Sequence, residues 1–572
     1  MKRNCFLIPF LLLSWVNCFA QKEVKISPAI ILSLRKTIES DINPYKQDIY
    51  KIKLSKGQFA SIRVYQKNVG LNILVCDPLD SLQQIVDENG IGQNEVVTIN
   101  AKMTGDYKLK VIWNFNKPLS GQYEITLDRV EKSGGSIAQK AQQLFDSWYE
   151  KKAPGAAMVV VKNNEIVLKL AKGLANVEEN IPLTNSSVFE IASCSKQFTA
   201  FAIAMLVDKK IISMDDDIRK YLPEMPDYGN KITIANLVYH TSGIRSTDVL
   251  EVTGFSPEDN ITLPMAVRFA AAQKHLKFKP GERFNYSNTN YNLLVEIVAR
   301  VTKQSFSSWT RENIFKPLGM NATFFKEDPG YVYRHKVLCY KPGKEGFVQR
   351  PNNYAATGSA GLCTSIDDLV KWVNSFDTKH LITKNMEALL ITTGSLNDGS
   401  KTKYAFGNEI GEFHGFKRIE HLGLVIGYRT AIARFPDEKL SIIYLSNDNN
   451  DATYQRFYKV RDMFLNVPVE KSRIKALPDV NEVITRLEKK ADITADLTQY
   501  KGIYYSDELN AALPLVIKDK KLVIVHPRLN EIVLSQVRDD NFGFIQFSRN
   551  TSNEIVSLTV LGENIQFNKI EN

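Results

Sequence analysis

The sequence is poor in the residues that metal centres and disulfide scaffolds require. Its 572 residues hold seven histidines and six cysteines. They form no His-Glu-x-x-His and no Cys-x-x-Cys, so neither a metal nor another cofactor is expected. An intact Gly-x-Ser-x-Gly elbow is also missing, which argues against an α/β-hydrolase. Beyond the N-terminus no uncharged stretch approaches the roughly 20 apolar residues of a membrane-spanning helix, so no transmembrane segment is expected. The formal charge of +10 is not gathered into a basic stripe. The densest runs, Glu488-Lys489-Lys490 and Lys518-Asp519-Lys520-Lys521, carry acids of their own and read as solvated faces, so no nucleic-acid partner is expected. There is no internal repeat and no low-complexity tract.

What is present begins with an address. Lys2 and Arg3 precede the apolar run Phe6 to Val16, which ends in Cys18-Phe19-Ala20 before polar Gln21-Lys22-Glu23. That pattern predicts a signal peptide over residues 1–20, cut after Ala20, and export to the periplasm or the extracellular space. A lipid anchor on Cys18 is the rival reading, weakened by Asn17 before it. After cleavage Cys76, Cys194, Cys339 and Cys363 remain. Three full pairings are open to them, and free, buried cysteines are expected.

A composition of 44 % hydrophobic and 24 % charged residues is that of a globular chain. Its length suits about three domains. Residues 21–132 read as a small β-sandwich: Tyr107, Leu109, Val111 and Trp113 alternate on one strand, and Tyr123, Ile125 and Leu127 on another. Their aromatics read as core rather than as a carbohydrate platform. Lys132 to Ser136 is a flexible break. From 136 to 468 a hairpin around Asn163-Asn164, then helices, then the strands Arg418 to Gly423, Tyr428 to Phe435 and Leu440 to Leu445 suggest an α+β domain with one antiparallel sheet and helical layers. Residues 469–494 read as a linker helix with Val480, Val483, Ile484 and Leu487 on one stripe, and 495–572 as a small β-barrel.

The chemistry is carried by three short elements. Ser193-Cys194-Ser195-Lys196 places a hydroxyl and an amine three residues apart at the start of an apolar helix, on one face. A serine hydroxyl needs a neighbour to take its proton, and a desolvated lysine can do so. Starting the helix at Ser193 would also aim the macrodipole and free N–H groups at a reacting carbonyl oxygen. On its own this tetrapeptide reads more simply as a helix N-cap followed by a solvated lysine. The second element is Tyr286-Ser287-Asn288, within Pro280 to Tyr291, and the third is His421-Leu422-Gly423 at the end of a strand pattern. Each has a plain structural reading too, as a turn and as a satisfied histidine.

Taken in order, the three elements resemble the Ser-x-x-Lys, Tyr-x-Asn and Lys-Thr-Gly or His-x-Gly motifs of the beta-lactamase-like serine hydrolases. That group includes class C beta-lactamases, D,D-carboxypeptidases, D-aminopeptidases and related esterases. Leu237 to Ile244, Lys316 to Met320 and Gly358 to Leu362 agree with it, and the resemblance covers about Ser136 to Asn466. It implies a beta-lactamase/transpeptidase-like catalytic domain, with Ser193, Lys196 and Tyr286 catalytic. The N–H groups of Ser193 and Leu424 would form the oxyanion hole, and Asn288, His421 and Gly423 would bind substrate. Tyr286 would relay a proton after losing its own near cationic Lys196. His240-Thr241-Ser242-Gly243 is expected to be a structural turn rather than part of a triad.

The same resemblance makes the terminal barrel lipocalin-like. It also offers the turn Ser506 to Ala512 as a possible rim of the cleft, with a plain spacer as the alternative. Two departures count against an efficient beta-lactamase: His421 replaces a fixed cation, and Leu422 to Gly427 make an apolar wall. The expected substrate is a D-amino-acid peptide of cell-wall type, with a broad-range ester as the second reading and a non-turnover sensor as the third.

Overall fold

The computed structural model describes residues 24–116, 118–254, 259–343, 346–450, 452–467, 483, 496–525, 531–538, 540–563 and 565–571. The signal-peptide reading falls outside them, as does the linker helix apart from Val483. Contacts divide the chain into two units, 1–131 with 470–491, and 132–469 with 492–572.

The first unit is the β-sandwich. One sheet runs Lys25–Ile26, Lys46–Leu54, Gly105–Trp113, Leu71–Cys76, Leu82–Val86, and the other Thr37–Ile42, Gly121–Lys132, Gln58–Gln66, Asn94–Asn100. Alternation decides what goes inside: Tyr107, Leu109, Val111 and Trp113 are buried, as are Tyr123, Ile125 and Leu127. The aromatics are core, and Tyr50 and Tyr123 share a buried hydrogen bond of 2.9 Å.

The second unit holds an antiparallel seven-stranded sheet. Its order is Glu165–Lys172, Ala156–Lys162, Leu440–Ser446, Tyr428–Phe435, Phe416–Val425, Asn408–Phe413, Tyr404–Ala405. The opening hairpin turns on Asn163 and Asn164, both at positive φ (53° and 64°), a conformation asparagine tolerates. The hairpin's first strand then pairs with the strand Leu440–Ser446, which lies near the end of the domain. Both faces of the sheet are covered. Ile443 and Leu445 join the main core, whereas Tyr444 between them meets Tyr149, just after the helix Ile137–Trp148, and Phe457, in the helix Ala452–Phe464.

On the main-core side lies the helix Lys196–Asp208. It is apolar nearly all round and buried from Lys196 to Leu206, with Phe198 stacked on Trp372 at 4.1 Å. A helix of this kind sits in the middle of a domain, and it takes Lys196 there with it.

The same unit ends in nine antiparallel strands that curl into a nearly closed barrel, in the order Ile532–Leu534, Lys521–Ile524, Ala511–Lys518, Gly502–Ser506, Ile565–Glu571, Ile555–Val560, Ile545–Arg549, Asn541–Phe542, Gln536–Arg538. Its core is built on Tyr500, Tyr504, Phe542, Phe547 and Phe567. Cys76, Cys194, Cys339 and Cys363 are all free and buried. Among the described residues no helix is long and apolar enough to cross a membrane.

Candidate active site

Ser193 lies in the 3-10 turn Ala192–Ser195, which runs straight into the helix Lys196–Asp208. The serine therefore precedes the α-helix rather than opening it. The reason is local: Ser195 Oγ donates to the carbonyl of Ala192 at 2.5 Å and accepts the N–H of Leu362, which ties the turn down.

Lys196 is fully buried, and its amine has three polar neighbours: Ser193 Oγ at 3.2 Å, Asn288 Oδ1 at 2.7 Å and the carbonyl of Ser359 at 2.7 Å. The Tyr286 ring centroid lies 4.7 Å away. Burial pulls the amine down to about 7, against the opposing pull of the Asp248 carboxylate. In its neutral form the amine has two N–H groups and one lone pair. The two short contacts are to pure acceptors and take the N–H groups, which leaves the lone pair for the Ser193 hydroxyl.

Asn288 begins the helix Asn288–Thr302, and its amide is fixed from behind. Nδ2 donates to both carboxylate oxygens of Asp248, at 2.9 and 3.0 Å, so Oδ1 must face Lys196. Ser246 Oγ accepts the Asn288 N–H and donates to Asp248 at 2.9 Å. Tyr286 shares a hydrogen bond with Ser193, and burial pushes its phenol well above 10. The phenol thus keeps its proton, contrary to the expectation that it loses it near a cationic lysine. The two groups are driven apart, the amine toward base and the phenol toward acid.

Two histidines lie beneath this layer. His240 is buried 4.5 Å from Tyr286, ring to ring, and its Nδ1 accepts the N–H of Ser287 at 3.2 Å. Burial holds it well below 6.5, so it is neutral and serves as a platform under the tyrosine. His421 departs from the substrate-binding role that the resemblance implied. Its Nδ1–H reaches the carbonyl of Leu422 at 2.6 Å, its Nε2 accepts from the Tyr404 hydroxyl at 3.1 Å, and burial lowers it to about 3. It is an uncharged part of the wall.

Gly423 lies outside the cleft lining as well. Its part is close approach: a Cβ there would stand 2.4 Å from the carbonyl of Ile191, so only glycine lets the strand Phe416–Val425 run against the Ser193 turn. That contact carries the backbone of Leu424 to the edge of the cleft.

The cleft itself has a volume of about 480 Å³. Ser193, Thr247, Asp248, Asn288 and Ser359 line it together with the apolar Leu424, Val425 and Ile426, and with Arg350 and Arg429. Sequence reasoning missed Asp248 and the carbonyl of Ser359. A signal for the first lay in Ser246-Thr247-Asp248, a run that favours side-chain-capped turns just after the His240 turn. The turn Ser506 to Ala512 contributes nothing to the lining, so the rim expected there is not formed by the described residues.

The beta-lactamase family profile matches residues 135–462. The chain belongs to the beta-lactamase family. A relative from Staphylococcus aureus, Protein flp, is 31 % identical over 309 residues, which is 52 % of this chain and 60 % of the relative. A D-aminopeptidase of Gluconobacter oxydans is 27 % identical over 61 % of this chain and 66 % of its own length. The chain thus spans less than two thirds of these curated relatives. Two solved structures share the fold. The octameric penicillin-binding protein homologue of Pyrococcus abyssi has a TM-score of 0.51 at 23 % identity, over 76 % of this chain and 98 % of that one. The D-amino acid amidase of Ochrobactrum anthropi has a TM-score of 0.51 at 19 % identity, over 58 % and 99 %.

Proposed function

We propose that this member of the beta-lactamase family is an exported serine hydrolase that forms an acyl-enzyme on Ser193, and that it acts on D-amino-acid peptides of cell-wall type. The observation that carries the hydrolase reading is the buried Lys196 amine, drawn to about 7 with its lone pair left to the Ser193 hydroxyl. Lys196 takes the serine proton as Oγ attacks the substrate carbonyl. The N–H groups of Ser193 and Leu424 receive the developing oxyanion, and the protonated Tyr286 donates to the leaving nitrogen. Water then attacks the ester on Ser193 by the reverse sequence.

The substrate class is supported by two things. Relatives carry the names D-aminopeptidase and D-amino acid amidase. The cleft also presents Asp248, a carboxylate suited to a free ammonium on the acyl group. Export rests on Lys2 and Arg3 ahead of the apolar run to Val16. A broad-range esterase is the second reading, favoured by the apolar wall Leu424 to Ile426. A panel of D-aminoacyl amides, D-Ala-D-Ala peptides, their L counterparts, short-chain esters and a cephalosporin tests the choice. The highest kcat/KM should fall on a D-aminoacyl amide or peptide. Esters ahead of every amide would overturn the peptidase reading, and a burst that stops at one equivalent would leave a sensor.

A further inference from the structure

Among the described residues the barrel contributes nothing to the cleft lining, yet it grips a stretch of chain that does. Five consecutive residues, Arg245 to Val249, are divided between two surroundings. Ser246, Thr247 and Asp248 face the site: Thr247 and Asp248 line the cleft, and Ser246 and Asp248 hold Asn288. The outer two belong to the barrel. Val249 is 4 % exposed and is part of the barrel's own core, with Tyr504, Leu513 and Leu515. The guanidinium of Arg245 is buried, donating to Glu508 Oε1 at 2.6 Å and to the carbonyl of Glu563 at 2.8 Å, both in the barrel. It also donates to the carbonyl of His275 at 2.5 Å. Lys277 Nζ adds a second ion pair with Glu563 at 2.9 Å.

This stretch follows the Gly243 turn and has only the single 3-10 segment Thr247–Thr253 as regular structure. A helix or strand would fix such a segment by its own ladder. Here the fixing comes from outside. A buried Arg–Glu pair adds little net stability, because desolvation offsets its attraction, and loss of one partner leaves the other charge buried and unpaired. We propose that the C-terminal barrel holds residues 245–249 in register, so that Arg245 and Val249 are positioning residues that place Asp248 and the amide of Asn288 against Lys196. The proposal rests on the serine-hydrolase reading of Ser193 and Lys196. It replaces both the cleft-rim and the spacer expectations for the barrel.

The amine of Lys196 offers a readout that a purely structural role would not move. Asp248, Cys194, Tyr286, Tyr291, His240 and His421 surround it. The two histidines and the tyrosines are held neutral by burial, and burial pushes the Cys194 thiol up to about 12. The Asp248 carboxylate is the main charge that holds the amine up against burial. Slackening the grip on residues 245–249 should therefore lower the amine's pKa further.

The test uses the full chain with Glu508→Ala, in the turn Ser506 to Ala512 and outside the cleft, and Val249→Ala as a second variant that works through packing alone. Labelling of Ser193 by a fluorophosphonate reports the nucleophile without assuming a substrate. Misplacing a reacting group by about 1 Å can cost on the order of a hundredfold, so labelling should slow by at least about tenfold per folded molecule. The acidic limb of the labelling-rate profile should move to lower pH. Glu508→Gln, which keeps an acceptor for Arg245, should restore most of the rate. Labelling within about twofold of wild type in both alanine variants, with an unshifted limb, would overturn the inference; so would a lower unfolding midpoint with the rate per folded molecule unchanged. Failure of the wild-type chain to label at Ser193 would overturn the hydrolase reading and this inference together, which keeps the two failures distinct.

Discussion

The amide nitrogen of Asn288 lies 2.9 and 3.0 Å from the two carboxylate oxygens of Asp248, and this one relationship sets the orientation of the amide that Lys196 meets. An ionised carboxylate can only accept, so it draws Nδ2 and leaves Oδ1 for the lysine. Asparagine at 248 could accept or donate, and the Asn288 amide would lose its enforced direction.

Asp248→Asn should therefore reduce turnover of every substrate, and most of all those with a free ammonium. A hydrogen bond to a charged group is worth about 1.5–3 kcal/mol, so kcat/KM for a D-aminoacyl amide should fall by roughly 10- to 150-fold. An N-acetylated analogue, with no ammonium to lose, should fall less. Equal losses for both would remove Asp248 from substrate recognition and leave it only the orienting role.

Ser193→Ala should abolish turnover with the fold intact, since it removes the attacking atom from a turn that Ser195 ties down independently. Tyr286→Phe should slow acylation by about 100- to 10,000-fold, the usual worth of a positioned acid or base. Single-turnover rates within a few-fold of wild type for Tyr286→Phe would take the phenol out of the proton path.

Much of this site was legible in the sequence because its parts are short and contiguous. Ser-x-x-Lys needs only one turn of chain, and Tyr286 and Asn288 are two residues apart. Strand alternation likewise exposed two strands of the sandwich, those of Tyr107 to Trp113 and Tyr123 to Leu127. What escaped was whatever depends on long-range contact. Asp248 reaches Asn288 across 40 residues, and the carbonyl of Ser359 reaches Lys196 across 163. A main-chain oxygen has no residue signature at all. His421, already read as no fixed cation, was placed against substrate by the resemblance; its contact with Tyr404 on another strand and its burial, which keep it out of the cleft lining, have no local signature.

Gly423→Ala should separate the strand from the nucleophile's turn. The added Cβ would meet Thr430 Oγ1 at 2.1 Å and the Ile191 carbonyl at 2.4 Å. The threonine can rotate away, but the backbone of Ile191 belongs to the Ser193 turn and cannot. Overpacking of this kind costs about 1–3 kcal/mol, and it should appear as a lower unfolding midpoint together with a lower kcat. A variant with normal kcat would show that the approach of strand to turn is dispensable.

The last expectation concerns pH. Lys196 works as a base only when neutral, and its amine sits at about 7, so kcat/KM should rise with pH through that value and level off above it. His421, lowered to about 3, and His240, held well below 6.5, are already neutral at pH 5 and should add no limb between pH 5 and 9. The same shift has a signature in stability. The unfolded chain keeps this amine protonated up to its ordinary 10.5. Between about 7 and that value the unfolded state binds the extra proton, so this residue's contribution to stability grows as pH rises across the window. Lys196→Met removes the titrating group, and should remove both the rise in kcat/KM and that part of the stability slope. A rate profile still rising near pH 7 in a residually active Lys196→Met chain would place the base elsewhere.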